Sequence, residues 1–176
     1  MPRKKKEEKV EVKEKDTKVK EVEGAVVAKS AKKQTFYQAV GRRKVSTARV
    51  RLYVVSSGEI EVGGVKLKKG DIVVNKRPVD KYFPGAVYQK LYQAPFATTE
   101  NVGRFAVSAV IDGGGLAGQL GAFVHAASRA LLLVDSDKYR PVLKNAGFLT
   151  RDPRSKERRK AGNAQKARAK KQSPKR

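Results

Sequence analysis

The chain has 176 residues and carries 41 basic against 17 acidic side chains, a formal charge of +24, which calls for neutralisation by a polyanion such as nucleic acid or an anionic membrane. With no cysteine and a single histidine, His125, the composition excludes disulfides, thiolate sites and a histidine metal cluster, and no metal or other cofactor is expected. No apolar run reaches the ~20 residues of a spanning helix and the basic segments lack an apolar face, so no membrane partner is expected.

Charge and aromatic content divide the chain into three zones. Residues 1 to 35 hold 12 basic and 7 acidic residues and no aromatic. They are expected to form a disordered charged arm, because so little apolar surface cannot offset the entropy of ordering. Met1 to Glu8 has no apolar signal core, and a cytoplasmic location is expected. Residues 36 to 150 contain every Phe and Tyr and are expected to be the folded domain. Residues 151 to 176 hold 12 basic and 2 acidic residues with nothing apolar larger than Ala or Pro. They are expected to be an extended basic tail, able to span roughly 85 to 95 Å at ~3.3 to 3.6 Å per residue.

Within the domain, Ala48, Val50, Leu52 and Val54 alternate with Thr47, Arg49, Arg51 and Tyr53, the period of a half-buried strand with one cationic face. Ile60 and Val62 alternate with Glu59 and Glu61 before Gly63-Gly64, which suggests a short hairpin partner for that strand. Ile72 to Val74 is a brief apolar strand. Pro78 suits the first turn of a helix that gathers Val79, Tyr82 and Phe83. A second helix is expected over about Ala86 to Gln93, ending before Pro95. Arg104 to Asp112 has the pattern of a central strand covered on both faces. Leu116 to Val134 places Leu116, Leu120, Phe123, Ala127, Leu131 and Val134 at helical spacing, marking the main core helix. A last short helix near Tyr139 to Ala146, with Pro141 in its first turn, should stop at Gly147. Early strand pairs followed by clustered helices predict an α+β fold, a small mixed sheet with packed helices flanked by basic arms.

Gly113-Gly114-Gly115-Leu116-Ala117-Gly118 satisfies GxGxxG between a strand and a helix, with Asp135 about twenty residues on. A dinucleotide site needs that acid at the end of a second parallel strand, whereas Asp135 follows the helix directly, and Gln119 stands where a P-loop requires lysine. Two readings remain: a tight turn whose glycines let helix and sheet approach closely, or exposed amides of Gly113, Gly114 and Gly115, with Gln119, meeting an RNA phosphate. His125 has no acid or nucleophile at helical spacing, so no catalytic constellation emerges and an enzyme is not expected.

Arginine forks match phosphate geometry. Arg42, Arg43 and Lys44, continuing into Arg49 and Arg51, are therefore expected to share one RNA-binding edge. Arg151, Arg154, Lys156, Arg158, Arg159 and Lys160 open a nearly acid-free tail expected to thread through RNA. Such arms would also suit duplex DNA in a nucleoid or chromatin protein.

Five segments occur in order: Gly41-Arg42-Arg43-Lys44-Val45-Ser46-Thr47-Ala48-Arg49-Val50, Val74-Asn75-Lys76-Arg77-Pro78 with Tyr82-Phe83-Pro84, Gly113 to Gln119, Ser128-Arg129-Ala130-Leu131, and Leu149 to Arg154 with Lys156-Glu157-Arg158. Together they resemble the family of the ninth protein of the small ribosomal subunit, from about Phe36 to Arg176. The resemblance implies a fold shared with the second domain of another small-subunit protein, and a seat on the subunit head beside neighbouring head proteins and small-subunit ribosomal RNA. It also implies a tail that reaches the peptidyl site, where the terminal pair, Lys175 and Arg176, contacts transfer RNA. The chain departs from the family pattern in its 1 to 35 arm, in an apparent insertion from about Ser57 to Lys69, and in having Ser173-Pro174 before the last pair. Val124 and Ala126 replace a frequently basic position and a frequent glycine, so no RNA contact is inferred there.

Overall fold

The computed structural model describes residues 36–55, 58–163 and 166–168. The 1 to 35 arm and the Lys175-Arg176 pair lie outside them. The described chain is α+β, with a five-stranded sheet, a separate two-stranded hairpin and four helices. Strands β1 (Phe36–Arg43), β2 (Ser46–Val54), β7 (Phe105–Asp112), β5 (Ile72–Val74) and β6 (Arg77–Pro78) lie side by side in that order. Every neighbouring pair is antiparallel except β5 with β7. The parallel pair is bridged by the crossover that contains helices α1 (Val79–Tyr82) and α2 (Ala86–Thr98).

Helix α3 (Leu116–Val134) crosses one face of β1 and β2 and buries Leu120, Ala122, Phe123, Ala126, Ala127, Ala130 and Leu131 against it. Its row of alanines has a structural reason. A Cβ on Gly41 of β1 would overlap the backbone of Ala122 and Ala126, so strand and helix approach at near backbone contact through small residues on both sides. By length and apolar content α3, with 19 residues, would pass as a membrane span, against the expectation that no run reaches that length. Its apolar face is taken up by the sheet, with Phe123 and Leu131 fully buried.

The sequence periodicity locates β2, β5, β7 and α3, and four details differ. First, β1 is an additional edge strand, paired along its length with β2. Its inward residues Ala39 and Gly41 are too small to give a visible alternation. Second, Ile60 to Val62 does not pair with β2. As β3 it pairs with β4 (Val65–Leu67) across Gly63-Gly64, both at positive φ, 58° and 81°, the geometry of a two-residue primed turn. Third, α2 continues through Pro95 to Thr98. Proline's fixed φ is already helical, and burial of Tyr92, Pro95 and Phe96 outweighs the one lost hydrogen bond. Fourth, the last helix, α4 (Ser136–Asn145), begins earlier than expected, so Pro141 lies in its interior. It begins at Asp135, whose carboxylate accepts from Lys138 N at 3.1 Å. It does stop at Gly147, where Gly147 N donates to Lys144 O and Phe148 N to Leu143 O, the paired bonds of a Schellman end.

β7 is covered on both faces only over its first residues. Phe105, Val107, Ala109 and Ile111 enter the main core, and Ala106 joins a smaller cluster with Tyr53, Val55 and Leu67 under the hairpin. Further along, Val110 is half exposed.

Candidate nucleic-acid interface

Pairing register fixes which side of the sheet each arginine occupies. Gln38, Val40 and Arg42 of β1 stand opposite Arg51, Arg49 and Thr47 of β2, which in turn stand opposite Ser108, Val110 and Asp112 of β7. Directly opposed residues share a face, so Arg42, Arg49 and Arg51 lie together on the side away from α3. The other side holds Ala39, Ala48, Val50 and Leu52, all buried. Arg42 and Arg49 are exposed and Arg51 is half-buried. Arg51 is also held in place, its Nε donating to Gln38 Oε1 at 2.8 Å and its guanidinium lying 4.8 Å from the Phe36 ring centre. Lys44 projects from the β1–β2 turn with a left-handed φ of 52°.

Arg43 does not share that face. It points toward α3, its side chain occupying the space a Cβ on Gly121 would take, and its Nη2 donates to Asp152 Oδ2 at 3.1 Å. Asp152 also accepts from Arg154, through Nε at 3.0 Å and Nη2 at 2.8 Å and from the Arg154 backbone N–H at 3.0 Å. The Arg154 side chain, then its backbone, then the fields of Arg154 and Arg43 hold the Asp152 carboxyl well below the usual carboxylate range. Asp152, one of two acids in the tail, thus ties the start of the tail to the β1–β2 hairpin.

Around that tie and after it, Arg151, Arg154, Lys156, Arg158, Arg159 and Lys160 are all exposed on backbone without helix or strand, Arg154 while bonded to Asp152. The described part of the tail is not fully extended. A turn in which Lys160 N donates to Lys166 O brings Arg168 back to Glu157, with contacts of 3.0 and 2.7 Å. The described part therefore doubles back, and Arg168 holds Glu157 below its ordinary pKa.

The glycine-rich turn serves packing at several of its positions. Gly113 and Gly114 have φ of 72° and 66°. A Cβ on Gly113 would come within 2.9 Å of Val45 O, and one on Gly114 or Gly118 would collide with Ser46 Oγ. Buried Ser46 donates to Gly113 O at 3.0 Å. Around Gly115 the space is open, and no side chain caps the first turn of α3. Gln119 is engaged within the protein: its amide donates to Gly113 O at 3.1 Å and its carbonyl accepts from Tyr82 O–H at 3.0 Å. Asn75 completes the chain of contacts. At φ 47° it exchanges bonds of 2.9 and 2.8 Å with the backbone of Ile111, as an extra residue of β5 would. Asp135 caps α4, and among the described residues no strand follows α3, so the dinucleotide geometry is not formed. His125 Nδ1 is buried without a hydrogen-bond partner, and burial, followed by the fields of Arg129 and Arg151, pushes its pKa down against an opposing pull from the Leu149 backbone. Among the described residues no group of acids and histidine could hold a metal ion.

Ser46, Asn75, Tyr82 and Asp152 do not figure among the residues expected from sequence to build the site. Their role is to position other groups through contacts distant in sequence, which local pattern does not carry. Lys76 is also new. Its signal was the polar step Asn75-Lys76 between an apolar strand and Arg77-Pro78, which forms a tight turn exposing the lysine at φ 64°.

The geometry is thus a cationic sheet face, a tail anchored beside it and a set of internal bonds that hold both. Residues 41–176 match the family model described as ribosomal protein S9/S16. Among curated proteins the chain is similar to small ribosomal subunit protein uS9 of Mycolicibacterium smegmatis, with 46% identity over 125 residues, 71% of this chain and 74% of that protein. The matched region takes in Arg42, Arg49, Arg51, the glycine turn and the tail, and the chain belongs to the ribosomal protein S9/S16 family.

Proposed function

We propose that the chain is a structural constituent of the small ribosomal subunit in the cytoplasm, binding small-subunit ribosomal RNA in the subunit head, with its C-terminal tail along transfer RNA in the peptidyl site. The observation that carries the RNA-binding part is the row Arg42, Arg49 and Arg51 on an open sheet face, none of them in an ion pair with an acid among the described residues. Uncompensated, clustered guanidinium groups favour a polyanion and match phosphate oxygens in pairs. The exposed cations from Arg151 to Lys160 extend the same field beyond the domain.

The mechanism is electrostatic positioning. Arg42, Arg49, Arg51 and Lys44 bind RNA phosphates, Arg43 orients the tail through Asp152, and the turn from Gly113 to Gln119 seats α3 against the hairpin. Lys175 and Arg176 place two charges on the transfer RNA backbone. Sedimentation of the endogenous protein through a sucrose gradient tests the assignment: co-migration with small subunits is expected, and its presence only in the soluble fraction would refute it. Removing Lys175 and Arg176 should weaken peptidyl-site transfer RNA binding while subunits still assemble. Unchanged binding would remove the tail's role.

A further inference from the structure

The β3–β4 hairpin does not join the main sheet. It folds over the outer face beside the arginine row and buries Leu67 against Tyr53 and Ala106. At the open side of the hairpin is a slot of about 380 Å³, within the roughly 300–1,000 Å³ typical of binding pockets. Val62 and Val65 of the hairpin and Val73 and Val110 of the sheet form its apolar walls, and Arg51 and Lys76 stand at its rim.

The rim has two unusual features. Neither Arg51 nor Lys76 forms an ion pair with an acid among the described residues. In addition, Lys76 occupies the second position of the β5–β6 turn at φ 64°, where glycine is the usual residue and a lysine costs conformational energy. Strain of this kind persists at positions where the side chain has work to do.

We propose that this slot receives a single unstacked base of an RNA chain, with Arg51 and Lys76 on the phosphates that flank it. The site rests on the RNA-binding reading given above and adds to it a place where RNA is gripped by a base. An apolar cleft edged by cations matches a splayed nucleotide, which has an apolar face between two negative charges. Arg49, opposite Val110 on the same face, continues the cationic track from the slot toward Arg42. A purely apolar protein segment would leave both rim charges without a counter-charge.

The test uses the full-length chain and purified small-subunit ribosomal RNA, with filter binding over a range of salt concentrations. Val110→Gln should weaken binding about tenfold, equivalent to ~1.4 kcal/mol of lost apolar contact, without changing the salt slope. Val87→Gln, at an exposed position of α2 outside both the slot and the arginine row, should leave affinity unchanged, and an equal loss there would overturn the slot. Lys76→Gly should raise the melting temperature by relieving the left-handed lysine while lowering both affinity and salt slope. If Val110→Gln is unfolded at the assay temperature, Lys76→Gly decides: wild-type affinity in that variant overturns the slot. Wild-type affinity in folded Val110→Gln also overturns it and leaves the RNA-binding reading standing, whereas failure of the wild-type chain to bind overturns both. In purified subunits, ultraviolet crosslinking should leave nucleobase adducts on Val62, Val65 or Lys76. A neighbouring protein crosslinked at those residues instead would replace RNA as the occupant.

Discussion

Arg43 and Asp152 lie 109 residues apart and meet through a 3.1 Å contact between Nη2 and Oδ2, which fixes where the basic tail leaves the domain. Asp152→Asn should free that point of departure. Faster hydrogen exchange near residues 150 to 155 and faster tryptic cleavage after Arg151 and Arg154 are expected, with little change in melting temperature, because ion pairs at the surface contribute little to global stability. The folded carboxyl is depressed, chiefly by its hydrogen bonds from Arg154. The tie is therefore fully present above the ordinary aspartate pKa of about 3.9 and is lost only as pH falls through the depressed value. A carboxyl titration by nuclear magnetic resonance that showed Asp152 titrating at the ordinary value would refute the clamp.

Gly41→Ala should be among the most damaging single changes in the domain. The new methyl would overlap the α3 backbone at Ala122 and Ala126, and backbone cannot move aside as a flexible side chain can. A loss of about 3 kcal/mol is expected from such overpacking. Gly115→Ala, at extended φ with open space around it, should cost no more than about 1 kcal/mol. Urea unfolding of the two variants makes the comparison, and equal effects would contradict the close approach of strand and helix.

Ser46 and Gly114 should be energetically coupled. Gly114→Ala sets a methyl against Ser46 Oγ and strains a residue at φ 66°, whereas Ser46→Ala removes that oxygen at the cost of its bond to Gly113 O. The double variant should be more stable than the sum of the single losses predicts, by about 1 kcal/mol. Additive losses would show that the serine does not fill the glycine turn.

Tyr92 donates to Asp80 at 2.6 Å, and burial, then that bond, raise its pKa above the usual tyrosine range. Because the folded-state pKa is the higher one, its contribution to stability is fully present below the ordinary value of about 10 and is lost as pH rises through the raised value. In an alkaline spectrophotometric titration of the native protein, Tyr92→Phe should remove a phenol that ionises above the usual tyrosine value of about 10. Loss of a phenol that titrates at that usual value instead would contradict the contact.

The elements legible in the sequence are those whose burial follows a local period: β2, β7 and α3 carry apolar residues in regular rows that reach the core, except that Val54 and Leu116 at the ends of their rows are half exposed and Tyr53, which the alternation sets among the cations, is buried. β1 was not legible, because its inward residues at 39 and 41 are small and their burial depends on a helix eighty residues later. The cationic residues were visible as a list, but their division was not. Only strand register separates Arg42 from Arg43, one on the open face and the other tied to Asp152. The glycine motif was legible as a tight turn, and its physical reason, the Ser46 side chain inside it, came from a strand sixty-seven residues earlier.

The measurement that bears most directly on the arginine row is the salt dependence of small-subunit ribosomal RNA binding by the full-length chain and by a variant carrying Arg42→Gln, Arg49→Gln and Arg51→Gln. With three phosphate contacts removed, the slope of log affinity against log salt should fall in magnitude by roughly 2 to 3, with the fold intact. An unchanged slope would show that the open sheet face is not where the RNA backbone lies.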